Sequence, residues 1–191
     1  MISKDILDLL NRSPAKSHSL QELVNFTGAK KAIVKVTLSR LVSQKKIYKI
    51  GHGFYSGTLA GADMEQLACQ LVYPSYMSFE SALNRHGIYD QVPASLTMAT
   101  ARKTKSIVLA GNVIEYSHLK KELFFGYQVS DNIGIAIAEK ALLDELYLVG
   151  LKKRSSNLRE FNLENIDLKK VKKWLPLYPP STQKLVRSLL F

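Results

Sequence analysis

The sequence predicts an α+β protein in two parts: a small, basic, helical N-terminal domain (residues 1–58) closed by a β-hairpin, and a mixed α/β C-terminal domain (residues 59–191) with a small sheet and flanking helices. Three observations carry this. Residues 17–44 hold two helical patterns, the first opened by a capping box, followed by a short strand pair around Gly51 and Gly53. Residues 56–63, SGTLAGAD, break the patterning with small residues, as connections between domains do. Beyond them, short β-type runs lie between helical stripes.

Taken in order, residues 3–11 read as an opening helix, with Ser3 as cap and Ile6, Leu7, Leu9 and Leu10 as apolar surface; Pro14 closes it. Ser19 and Glu22 form a capping box, since hydroxyl and carboxylate can each satisfy a free backbone N–H at a helix start. A short helix therefore begins at Leu20, turns Leu20, Leu23 and Val24 to one face, and ends at Thr27-Gly28, where glycine takes the left-handed conformation. A longer helix follows from about residue 30 to 44. Its Val34, Leu38, Leu41 and Val42 make a core-facing stripe.

The opposite face carries Ala32, Lys35, Val36, Ser39, Arg40 and Ser43, with no acidic residue between Glu22 and Gly57. Such a face suits a DNA major groove, where Ser and Arg reach base edges or phosphates and a Val methyl can touch thymine. Ile47-Tyr48-Lys49-Ile50, the turn Gly51-His52-Gly53 and Phe54-Tyr55 then form the hairpin. Helix, turn, helix, hairpin is the order of a winged helix-turn-helix. The candidate DNA contacts are Lys30, Lys31, Lys35, Ser39 and Arg40 on the second helix, with Lys49 and His52 on the hairpin. Lys30 and Lys31, at the helix start, suit phosphates rather than bases. A solvated face of a small helical subdomain has the same composition, but the coincidence of cap, turn, stripe, basic face and hairpin favours DNA.

In the second part, residues 64–73 predict a helix with Leu67, Leu71 and Val72 inward, stopped by Pro74. Ser78 is expected to cap a helix over residues 79–86, buried through Phe79, Ala82 and Leu83 and ended at Gly87. Residues 96–100, 106–109, 113–117 and 127–129 read as strands, with Gly111-Asn112 as a hairpin turn. Residues 133–137 lead into a helix over 138–149, lined by Ala138, Ala141, Leu142, Leu146 and Val149. Its Glu139, Lys140, Asp144 and Glu145 are expected to form a solvated face, with Lys140 and Asp144 paired across one turn. Residues 168–175 and 182–190 complete the helices, separated by Pro176, Pro179 and Pro180.

The net charge of +11 is unevenly spread: residues 1–58 are net +7, and the remaining 133 only +4. A polyanion partner with salt-sensitive affinity follows. Cys69 is the only cysteine, which excludes a disulfide framework or thiolate cluster and fits a reducing cytoplasm. MISKDILDLL lacks an extended apolar region, and the longest wholly apolar or Gly run, 133–138, is too short to span a bilayer. A soluble, cytoplasmic protein is expected.

No metal or cofactor is expected, because neither His86 nor His118 has HxxxH, HExxH or Cys/His company. His86 reads as a capping residue in the last turn of its helix. Ser78 and Ser81 are helix-start residues rather than nucleophiles, and Glu80, Glu139 and Asp144 read as helix charges rather than a nuclease cluster. The chain is therefore not expected to be an enzyme. Arg102, Lys103 and Lys105, the run 152–154, and Lys169, Lys170, Lys172 and Lys173 are either solvated charge or a surface for DNA or an acidic partner.

Residues 73–105, YPSYMSFESALNRHGIYDQVPASLTMATARKTK, resemble the AbiEi family of antitoxins from type IV, abortive-infection toxin–antitoxin systems. The likeness lies in Pro74-Ser75-Tyr76, the helix start from Ser78 through Glu80-Ser81-Ala82-Leu83, His86-Gly87, and Thr97-Met98-Ala99-Thr100 before basic residues. It continues at Ala138-Glu139-Lys140-Ala141-Leu142-Leu143-Asp144 and spans roughly residues 5–150. The resemblance implies a bacterial or archaeal repressor that binds inverted repeats in its own promoter and counters a nucleotidyltransferase toxin, AbiEii, without requiring a stable complex. It also implies an antitoxin role for Tyr76, Glu80, His86 and Arg102, which fall in the matching motif. The alternative reading is a ligand-responsive winged-helix regulator whose C-terminal domain senses a small molecule or dimerises. With no coiled-coil heptad, the expected state is a monomer that pairs on DNA.

Overall fold

The computed structural model of the chain describes residues 2–12, 17–50, 53–58, 64–109 and 111–191. The chain parts into two compact units, Met1–Leu71 and Val72–Phe191. It is a mixed α+β structure with two sheets.

The first unit runs α1 (Ile2–Arg12), β1 (His18–Ser19), α2 (Leu20–Thr27), α3 (Lys31–Ser43), β2 (Tyr48–Ile50), β3 (Phe54–Ser56) and α4 (Met64–Leu71). The capping box forms as the sequence predicts: Glu22 N–H donates to Ser19 Oγ (3.1 Å), and Ser19 N–H donates to Glu22 Oε2 (2.8 Å). Gly28 ends α2 at φ 63°, where its N–H donates to the Val24 carbonyl (3.0 Å). The hairpin strands β2 and β3 pair antiparallel, and β1 adds itself to the other side of β3, giving the order β1-β3-β2. That two-residue strand carries no pattern a sequence could show.

Ile6 and Leu10 of α1, Leu23 of α2, Val34, Leu38 and Leu41 of α3, and Ile47 and Tyr55 form one buried cluster. An eight-residue helix such as α2 is unstable alone, whereas each fully buried aliphatic side chain contributes roughly 1.5–3 kcal/mol. Packing, with the cap fixing where the helix starts, therefore holds this unit. Helix α4 ends two residues before the predicted 73, and Ser17 Oγ donates to Gln70 Oε1. Pro14, the turn residues Gly51 and His52, and positions 59–63 of the expected connection lie outside the described residues.

The second unit contains β4 (Ser75–Met77), α5 (Phe79–Arg85), β5 (Leu96–Thr100), β6 (Lys105–Leu109), β7 (Asn112–His118), β8 (Tyr127–Ser130), β9 (Ile133–Ala136), α6 (Ala138–Gly150), α7 (Leu168–Trp174) and α8 (Pro180–Leu190). Its six-stranded sheet has the order β6-β7-β5-β4-β9-β8. Pairing is antiparallel for β6–β7, β5–β4 and β8–β9, and parallel for β7–β5 and β4–β9. Leu109 pairs with Asn112, and Gly111 at φ 81° lies in the reversal, so the predicted Gly111-Asn112 turn shifts by one residue.

Two central strands escape the sequence reading. Residues 75–77 are too short to show alternation, and 133–136, expected only to lead into a helix, form β9. Both are largely buried, which removes the polar alternation that marks a half-exposed strand. Helix α6 packs against α5, α7, α8 and β9. The solvated face expected on it does not exist: Glu139, Lys140, Asp144 and Glu145 are all buried.

Candidate nucleic-acid interface

Burial of Val34, Leu38 and Leu41 fixes the rotation of α3, and the opposite side of the helix faces out. Lys30, Lys31, Ala32, Lys35, Val36, Ser39, Arg40 and Ser43 are all exposed, Val36 by 60%. None of the four Lys and Arg among Lys31, Lys35, Arg40 and Lys30 has an ion pair among the described residues. The Ser43 hydroxyl donates to the Ser39 carbonyl (3.0 Å), so its proton is taken within the helix, whereas the Ser39 hydroxyl has no such bond among the described residues.

The start of α3 has an unusual character. Lys30 occupies the cap position with no side-chain cap bond, and the first turn holds no acidic residue. Free N–H groups and the positive end of the helix dipole thus stand beside Lys30 and Lys31, an arrangement that attracts an anion. Lys49 in β2 is exposed as well, while His52 lies outside the described residues.

The four residues implied by the family resemblance do not converge: no hydrogen bond or ion pair joins any two of them among the described residues. Tyr76 is wholly buried in β4. Glu80 is half-buried in the first turn of α5. His86 stands at the C-cap of α5, where its backbone N–H donates to the Ala82 carbonyl (3.0 Å), but its side chain does not bond to the carbonyls of that helix. Its Nε2 lies 2.8 Å from the Ala136 carbonyl, which can only accept, so the ring donates there and ties the end of α5 to the end of β9. Arg102 is exposed, and its Nε–H donates to the Tyr73 carbonyl (3.2 Å).

Tyr76 belongs instead to a buried polar cluster that the sequence reading missed. Asp144 accepts from Lys140 Nζ, Ser78 Oγ (2.8 Å), Tyr76 Oη (3.0 Å) and Tyr178 Oη (3.4 Å). Lys140 lies over the rings of Phe125 (5.2 Å), Tyr76 (5.7 Å) and Tyr178 (5.8 Å). Burial pushes Asp144 up and pulls Lys140 down, against their mutual attraction. Burial, and then the Asp144 charge, raises both Tyr76 and Tyr178, so both phenols remain donors.

Ser78 stands at the cap position of α5 but does not cap it. The Thr97 hydroxyl of β5 accepts from Ser81 N–H (3.0 Å) in its place, which leaves Ser78 for Asp144. The next residue, Phe79, is held at φ 56°, a conformation uncommon for a bulky side chain. The Arg154 guanidinium lies 5.0 Å from its ring and binds the buried Glu145 (3.1 Å), so Arg154 is not part of a solvated run. Burial pushes Glu145 up to about 7 despite Arg154, with Glu80 adding a like charge. The sequence signal for this burial was present: Leu143, Tyr147 and Leu148 flank the charges on the side of α6 assigned to solvent.

Among the described residues no His, Cys, Asp and Glu group has the makings of a metal site, and no helix is long and apolar enough to cross a membrane. Compared with protein-family models and with curated proteins, the chain matches none.

Proposed function

We propose that the chain is a DNA-binding antitoxin of the AbiEi kind. The first unit acts as a winged helix-turn-helix that represses its own operon, and the second counters a nucleotidyltransferase toxin in the cytoplasm. The observation that carries the DNA reading is the outward face of α3, where Lys31, Lys35, Ser39 and Arg40 are exposed opposite the buried Val34, Leu38 and Leu41. In this reading Lys30 and Lys31 hold phosphates at the helix start, Ser39, Arg40 and Val36 meet base edges, and Lys49 reaches the adjoining backbone. The toxin-countering role rests on the sequence resemblance. The structural positions of Tyr76 and His86 favour a share in holding the second unit together.

The test is binding to duplex DNA from the protein's own upstream region, comparing wild type with Lys35→Ala/Arg40→Ala across a salt series. The expected result is tight wild-type binding that weakens at least tenfold in the variant, with a salt slope shallower by about 1–2. Binding unchanged by the substitutions would remove α3 from the interface. Rescue of cells expressing a co-encoded nucleotidyltransferase, by the full chain but not by residues 1–71, tests the second role.

A further inference from the structure

The C-terminal part of the second unit carries its own charge asymmetry: residues 168–191 hold six Lys or Arg and no Asp or Glu. Lys170 is engaged by Glu139 (3.5 Å) and Asp167 (3.9 Å). Lys169, Lys172, Lys173, Lys184 and Arg187 have no carboxylate partner among the described residues.

Two of these cations, Lys172 and Arg187, line a groove of about 500 Å³ together with Leu175, Pro176, Gln183 and Phe191. Gln183 and Arg187 on α8 and Phe191, its C-cap residue, follow at four-residue spacing and so form one row. Gln183 is pinned, its Nε2 donating to the Tyr178 carbonyl (2.8 Å), and the Lys172 ammonium sits 4.6 Å from the Phe191 ring centroid. Lys172 and Arg187 form the two rims. Lys169 and Lys184, each three residues earlier on the same helices, extend them by a turn. Phe191 is 57% exposed and nearby Leu177 54%, apolar surface that a solvated basic face does not need.

We propose that this groove docks an acidic, amphipathic helical segment of a protein partner, its large apolar side chains entering between α7 and α8 and its carboxylates meeting the rims. The assignment goes beyond the DNA and antitoxin reading and does not rest on it. Charge selects the occupant. A second copy would bring the same five cations against themselves, a repulsion that an isologous contact cannot avoid. A duplex would satisfy the rims but has nothing apolar to place against Leu175, Pro176 and Phe191. An acidic amphipathic helix satisfies both at once.

The probe is a fluorescein-labelled 14-residue peptide with Leu at helical spacing i, i+3, i+4 and i+7 and Glu at most other positions, titrated with the full chain and followed by polarisation. Controls are the same composition scrambled, a duplex DNA of equal charge, and phosphatidylserine vesicles. The expected result is micromolar binding of the patterned peptide, at least tenfold tighter than the scrambled one. Both Arg187→Glu and Phe191→Ala should weaken it at least tenfold, while Lys4→Glu, which reverses a charge in the first unit, leaves it within twofold. Amide chemical shifts confirm that the exposed-site variants stay folded and place the peptide on α7 and α8. Equal binding of the scrambled peptide, indifference to Arg187→Glu and Phe191→Ala, or occupation of the groove by duplex or vesicles that the peptide cannot displace would each overturn the proposal.

Discussion

Replacing Asp144 should cost the second unit more than replacing Lys140, although the two form one ion pair. Lys140→Met removes one of the four donors to Asp144 and leaves the hydroxyls of Tyr76, Ser78 and Tyr178 in place. Burial already favours protonation of Asp144, so the stranded carboxylate can take up a proton and keep those contacts. Breaking a buried pair costs about 3–5 kcal/mol, and this variant belongs at the lower end, near 3 kcal/mol. Asp144→Ala removes the one hydrogen-bond acceptor that the Lys140 ammonium has among the described residues and leaves three buried hydroxyls unpaired, at about 1–3 kcal/mol each. Its cost is about 5 kcal/mol or more. A gap of about 2 kcal/mol moves a urea midpoint by about 1 M when the denaturant slope is near 2 kcal/mol per molar. Trp174 in α7 is the only tryptophan, packed edge-on at 5.3 Å from Phe125, so its fluorescence reads the second unit alone. Equal midpoints for the two variants, or a lower one for Lys140→Met, would show that Asp144 is not the centre of the cluster.

Glu145 gives the second unit a pH dependence of defined sign. Its carboxyl rises from an ordinary 4.5 to about 7 on folding, so the folded state binds the proton more tightly. The resulting stability is fully present below pH 4.5 and is lost as pH rises through 7; at about 1.4 kcal/mol per pH unit it amounts to about 3 kcal/mol. Urea unfolding at pH 5 and pH 8 should show that loss in wild type and a flatter profile in Glu145→Gln. Gly134→Ala in β9 should destabilise by about 1–2 kcal/mol, because an added Cβ falls 2.9 Å from Tyr76 Cβ in the neighbouring strand. A midpoint equal to wild type would mean that β4 and β9 can part at no cost.

How legible each part was depends on where its partners lie in the chain. The start and end of α2 were readable because Ser19 finds Glu22 three residues on and Gly28 needs no partner beyond Val24. The inward stripe of α3 was readable for the same local reason. An i, i+4 Lys–Asp pair, by contrast, looks alike in sequence whether it is wet or buried. Lys140 and Asp144 are told apart from a surface pair by partners distant in the chain, Tyr76 and Ser78, 68 and 66 residues from Asp144, and Tyr178, 34 residues on. Ser78 misled in the same way, since the residue that took over its capping role, Thr97, comes from another strand.

The spread of partners around Asp144 also orders events as the chain leaves the ribosome. The apolar cluster of the first unit is complete once Tyr55 has emerged. The second unit has no such early closure. Its middle strand β4 waits for β5 on one side and β9 on the other, and Asp144 gains its last hydroxyl only with Tyr178. Nascent chains stopped between residues 150 and 178 therefore carry a complete first-unit cluster followed by a second unit whose buried charge is still short of a partner.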